Sequence, residues 1–317
     1  MNKYLVLTSL IIFFLSIKTN DVAAEKSKVN VIKDVFKYTN DSKRSIELSE
    51  LSQGCPKVDC IPAIDNPRFS SIHSVDFLFD DDIMMVVEYN NVQKAYPRKI
   101  MQTHEIVNDY FSEKALAMTY CPLCGTSVAF EPIIDGERVE FGVSGVLHNS
   151  DLVMYDRKTK SLWGQITGKA IVGPKTGDRL KRVSVGLLTW KELKVAYPNS
   201  QILLPPTGEF ERYKDFHYQK YTESEKLMFP VSAADARLAT KQIVYGVEVD
   251  GKFIAFEESY LKKRSPMVES FGKRILKVSF SAGKVTAIDK KTNESFDVLR
   301  VYWFAWFAFH PETLLRN

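Results

Sequence analysis

The cysteines of Cys121-Pro122-Leu123-Cys124-Gly125 are the residues of this chain best suited to chemistry. Two mechanisms want that spacing. A dithiol pair can open and close a small disulfide loop, with a rate governed by how readily a thiolate forms. A metal knuckle uses the same spacing, with Pro restricting the turn and Gly letting backbone amides point at the sulfurs. The following residues, Thr126-Ser127-Val128-Ala129-Phe130-Glu131-Pro132, are β-prone and stopped by a proline. No long helix can therefore start at the first thiol and lend it amide dipoles, which weakens a thioredoxin-like reading. An inert pair, bonded or buried, is the remaining alternative.

Cys55 and Cys60, in Gly54-Cys55-Pro56-Lys57-Val58-Asp59-Cys60, bring the cysteine count to four. A local disulfide is the default in an exported protein, and a four-cysteine metal site with Cys121 and Cys124 is the sharper alternative. Five histidines are available as further ligands. His104, in Ile100…His104…Val107…Phe111, falls on the apolar face of a short helix expected over Lys99 to Phe111, which runs into the strand ending at Cys121. Such a position commonly holds a satisfied core histidine, yet His104 is the first candidate as an additional ligand or base. His148 is a weaker candidate in a polar loop, His310 reads as a helix C-cap, and His73 and His217 as surface residues. Two thiolates and an imidazole would suit copper or zinc. The stretch Phe141 to Gly177 is dense in polar and small residues, among them Asn149, Asp151, Arg157 and Trp163. These are candidates for the wall of a small-ligand pocket, with a loop-rich meander of Asx turns as the alternative. No phosphate-binding glycine loop, serine nucleophile elbow or HExxH pair is present.

The elements that must position these residues read as a repeat within the chain, with chance similarity between two β-hairpins as the alternative. At an offset of 160, Val87 to Tyr96 aligns with Val247 to Phe256, each reading as two strands around a two-residue turn, Asn90-Asn91 or Asp250-Gly251. The alignment continues through Phe111 with Phe271, Leu116 with Leu276 and Tyr120 with Phe280. A second offset, 113, pairs Trp190…Tyr197-Pro198 with Trp303…His310-Pro311. The second copy is thus shorter by 47 residues, the difference between the offsets, which fall after the cysteine pair. Where the first copy has Cys121 to Gly125, the second has Ser281-Ala282-Gly283-Lys284-Val285. Chemistry is expected in the first copy, with the second as a structural partner that walls the site. The expected fold is α+β, mostly antiparallel sheet with few short helices, built from two related halves. The apolar run Tyr302 to Phe309 is expected to bury between them.

Length and composition bound the rest. The chain has 317 residues, 45% hydrophobic and 26% charged, with a formal charge of +4, which is globular composition and too mild a charge to argue for nucleic acid. Residues 1–24 read as a cleaved signal peptide: Lys3, an apolar run from Leu5 to Ile17, then Val22-Ala23-Ala24. No other stretch could span a bilayer. The mature protein is expected to be periplasmic or secreted, where disulfides persist. Residues 25–50 read as a polar arm, 51–230 as the first repeat with the cysteine site and its insertion, and 231–317 as the second, degenerate repeat.

These motifs carry a family resemblance. Ile61-Pro62-Ala63-Ile64-Asp65, Ala95-Tyr96-Pro97, His104-Glu105-Ile106-Val107-Asn108-Asp109 and Tyr120 to Gly125 resemble the exported prokaryotic family known as domain of unknown function 3179. So do Phe141 to Gly145, Asn149 to Arg157, Ser161-Leu162-Trp163, Trp303 to Trp306 and Phe309 to Thr313. The resemblance implies an exported location and names no activity. It implies that Cys121, Cys124 and His104 belong to the shared pattern, with Asp151, Arg157 and Trp163 as pocket residues. Positions 55 and 60 depart from that pattern, which favours a local disulfide there. Three functions follow: binding of copper or zinc, thiol-disulfide redox catalysis with the same pair, or a structural or partner-binding role with an inert disulfide.

Overall fold

The structure, a computed structural model, describes residues 30–206 and 210–317. The expected signal peptide and the first five residues of the arm lie outside them. Strands dominate, most of them paired antiparallel, and the helices are short pieces at strand ends. Among the described residues the strands form five sheets of four or five strands in a propeller-like arrangement, plus a small hairpin at Ile133–Ile134 and Glu137–Arg138. Mostly antiparallel β therefore describes the fold better than α+β.

Turn chemistry sets the first hairpin. Ile83–Tyr89 pairs with Val92–Pro97 around Asn90-Asn91, whose φ angles of 49° and 60° suit side chains that tolerate the left-handed region. Ile243–Val249 pairs with Lys252–Glu257 around Asp250-Gly251, with φ angles of 49° and 74°. A shift of 160 carries the pair Met84 and Pro97 onto the pair Val244 and Glu257. It also carries the helix Arg98–His104 onto Glu258–Arg264, and the pair Val107 and Met118 onto Met267 and Val278. A shift of 113 carries the helix Trp190–Ala196 onto Trp303–Phe309. The parallel pairing of Gln201 with Lys94 recurs as Leu314 with Ile254, each strand moved by its own offset.

Two places break the correspondence. The pair Cys121 and Thr126 encloses a four-residue turn, where Ser281 and Lys284 enclose only Ala282-Gly283. After the cysteine hairpin, Phe141–His148, Asp151–Asp156, Leu162–Gly164 and Ala170–Val172 form a separate sheet with Leu51–Gln53, which the second half lacks. The polar insertion is thus a meander with ordered strands.

The largest apolar cluster joins Phe130, Phe141 and Trp163 to Trp303, Ala305 and Trp306. The aromatic helix is buried among residues of both halves, as its all-round apolar sequence demands. Two expectations are corrected. The helix expected over Lys99 to Phe111 ends at His104, because Glu105 turns into the left-handed region at φ 57°, and Ile106–Phe111 is a strand paired with Lys114–Cys121. The polar arm is also part of the fold. Val31 and Ile32 are buried against Val146, Val153 and Tyr155, and Thr176 donates to the carbonyl of Lys43. Among the described residues, no helix is long and apolar enough to cross a membrane.

Candidate metal centre

Two hairpin turns meet at the site. Lys114–Cys121 and Thr126–Glu131 are joined by Pro122 to Gly125, which puts Cys121 at a strand end and Cys124 in the turn. Gly125 closes that turn at φ 60°, and a Cβ there would lie 2.5 Å from the ring of Tyr302, so only glycine fits. Opposite, Asn149-Ser150 forms a two-residue turn with φ angles of 53° and 63°, and Asp151 is the first residue after it. The Ser150 carbonyl points at the thiols, accepting from Sγ of Cys124 at 3.3 Å and of Cys121 at 3.8 Å.

One ligand atom each from Cys121, Cys124 and Asp151 lies within 4.8 Å of the others. All three side chains are buried, at 1%, 0% and 0% exposure. Asp151 Oδ2 accepts from the backbone N–H of Ile166 at 2.9 Å, while Oδ1 is buried with no hydrogen-bond partner among the described residues. An unmet buried carboxylate oxygen beside two thiols is a costly arrangement unless a cation completes it. Burial pushes the Asp151 carboxyl up to about 8 against the opposing pull of backbone donors. Burial also pushes the Cys124 thiol well above its ordinary value, and the neighbouring Cys121, Asp151 and Glu105 add to that. Glu105, likewise buried, is pushed up to about 8 by desolvation and then by Asp151.

The second half holds the thiol turn in shape. The carbonyl of Cys124 accepts from the backbone N–H of Tyr302 at 2.9 Å, and that of Gly125 from Arg300 at 3.2 Å. From the first half itself, the hydroxyl of Tyr221 donates to the carbonyl of Leu123 at 3.1 Å. Gln165 bridges the hydroxyl of Thr119 and the carbonyl of Thr126 on the two thiol strands. A cavity of about 100 Å³ lies beside the turn, bordered by Cys55, Ile61, Glu105, Leu123, Tyr218 and Phe229.

Chain residues 58–313 match the family model described as protein of unknown function (DUF3179). The chain belongs to that family. No curated protein and no solved structure matches it.

In this DUF3179 chain the residues singled out from sequence separate. His104 is not in the group with the thiols: Nδ1 lies 2.8 Å from the Pro62 carbonyl and Nε2 2.9 Å from the Tyr213 hydroxyl. Because a carbonyl can only accept, Nδ1 carries the proton and Nε2 accepts from the tyrosine, which leaves no lone pair for a metal. Burial lowers the His104 pKa, consistent with that neutral form. Asn149, Arg157 and Trp163 do not join Asp151 in one pocket. Asn149 Oδ1 accepts from the N–H of Ser232, Arg157 pairs with Asp65 and Glu140, and Trp163 donates to Asp156 from within the core. Cys55 and Cys60 form a disulfide, with Cα atoms 6.3 Å apart, so no four-cysteine centre exists. Glu105 is not among the candidates that the sequence offers, because its neighbours Gln102-Thr103-His104 and Ile106-Val107-Asn108 give it no motif of its own.

Proposed function

We propose that the protein binds one borderline divalent cation, best matched by zinc, through Cys121, Cys124 and Asp151. The unpartnered, fully buried Oδ1 of Asp151 beside two thiols carries this reading. Two sulfurs and a carboxylate oxygen are a zinc donor set, whereas copper(I) prefers all-soft ligands, which makes copper the lesser fit. Three protein ligands leave a coordination position free, and Glu105, which interacts electrostatically with Asp151 and Cys124, lines the adjoining cavity. Glu105 also sits at positive φ although it is not glycine, the kind of backbone strain that collects at working sites.

The thiol redox reading is weaker. An exchanging thiol needs an accessible sulfur and a lowered pKa, and here both sulfurs are buried and the Cys124 thiol is pushed up. A cation would reverse that electrostatic problem by pairing with the anions. Zinc titration of the metal-free protein is expected to give one bound ion per chain. Cys121→Ser, Cys124→Ser and Asp151→Asn are each expected to weaken it by about tenfold or more, while His104→Gln keeps it. Full zinc affinity in Asp151→Asn would remove the reading. Because Asp151 and the Cys124 thiol are held protonated until metal arrives, uptake at pH 7 should release protons. Calorimetry in buffers of different ionisation enthalpy reads that release, and a heat independent of the buffer would contradict it.

We further infer an ancient duplication and export of the mature chain. The matching strand registers and helix bounds at offsets of 160 and 113 support the first. The leader-like residues 1–24 and the Cys55–Cys60 disulfide support the second. Mass spectrometry of protein from the producing cells should find an N-terminus near Glu25, and intact Met1 would contradict export by cleavage.

A further inference from the structure

On the far side of the thiol hairpin lies a cavity of about 220 Å³ between the two halves. Val128, Val183 and Leu187 line it from the first half, and Val285, Phe296 and Leu299 from the second. Its polar groups are unevenly placed. Ser127, Arg182 and Arg300 are buried or half-buried, while Ser184, Thr286, Ser295 and Asp297 are exposed.

Arg182 is the anomaly. Neighbouring basic residues are paired: Arg179 with Glu248 at 2.8 Å, Lys181 with Glu131 at 2.6 Å, and Arg300 with Glu258 at 3.7 Å. Arg182 makes no ion pair among the described residues, and its hydrogen bond goes to the carbonyl of Ile166. Its Nε is buried without a partner, as is Oγ of Ser127, another residue lining the cavity. Two orphaned donors, one of them on a guanidinium, cost free energy unless an acceptor reaches them. An acceptor carrying negative charge satisfies both the hydrogen bonds and the cation.

We propose that this cavity binds a small organic carboxylate, its charged end on Arg182 and Ser127 and its hydrocarbon body against the aliphatic walls. A single unpaired guanidinium matches one negative charge. Asp297 at the mouth disfavours a second, Arg300 is already paired with Glu258, and the aliphatic walls give a hydrocarbon body contact that a compact anion such as phosphate does not use. The cavity is separate from the metal site, since neither thiol nor Asp151 lines it, although Arg182 feels the Asp151 charge and both residues bond to Ile166.

Calorimetric titration of the whole mature protein with hexanoate, hexanamide and inorganic phosphate tests it. Hexanoate should bind once per chain, with hexanamide and phosphate each weaker by about tenfold or more. Arg182→Gln should weaken hexanoate by a similar factor, and Leu187→Trp should abolish binding by filling the cavity. Absence of hexanoate binding to the wild-type protein overturns the proposal, as does equal binding of hexanamide or tighter binding of phosphate. Unchanged hexanoate affinity in both variants also overturns it. Should either variant fail to fold, the three-ligand comparison on the wild-type protein decides alone.

Discussion

The structure places Asp151, and not His104, beside the two thiols, and the reason is visible in their partners. A histidine on an apolar helix face is more commonly a core residue than a ligand, and nothing local decides between them. Only the Pro62 carbonyl and the Tyr213 hydroxyl, distant in sequence, consume both ring nitrogens. Asp151 was legible as a polar candidate for a ligand-pocket wall, but nothing local reveals that one of its oxygens is buried and unmet. His310 shows how burial acts on another ring. It stacks on Phe253 at 3.8 Å and leans on Trp306 at 4.3 Å, and burial lowers its pKa to about 4. A histidine depressed in the fold contributes stability that is present above its unfolded pKa of about 6.5 and lost as pH falls towards the folded value. The melting temperature should therefore drop between pH 7 and pH 4 by several degrees more in the wild-type protein than in His310→Phe, which keeps the stack. Equal drops in the two proteins would exclude this cause.

At the scale of elements, strand pairs with Asn-Asn or Asp-Gly turns were legible because the turn residues and the alternation agree. The end of the helix Arg98–His104 was not, because Glu105 supplies a left-handed cap with no glycine, asparagine or proline to announce it. The five-sheet arrangement was not legible either, since sheet membership depends on pairings such as Leu51–Gln53 with Phe141–His148, far apart in sequence. Two glycines let the matched hairpins be compared directly. Gly125→Ala places a methyl on the Tyr302 ring at positive φ, and Gly283→Ala places one 2.2 Å from the carbonyl of Leu187. Each should cost roughly 1–3 kcal/mol of stability in chemical denaturation. Only Gly125→Ala should also weaken zinc binding, because it distorts the turn that carries Cys124. Equal zinc affinities in the two variants would argue that the turn geometry does not matter.

Over the whole molecule, the second half lacks thiols yet fixes those of the first, through Tyr302 and Arg300 on the turn and the tryptophans of the shared core. Trp303 is fully buried in that core. Trp303→Ala should lower stability by roughly 3–5 kcal/mol in denaturant titration and weaken zinc binding with it, although it lies far along the chain from any ligand. Zinc affinity untouched by that loss would show the halves to be independent. The central claim is that two sulfurs and a carboxylate oxygen meet on one cation. X-ray absorption at the zinc edge of the loaded protein reads those atoms directly. The expected spectrum has two sulfur scatterers at about 2.3 Å and oxygen scatterers at about 2.0 Å. A first shell without sulfur, or one of sulfur alone, would contradict it.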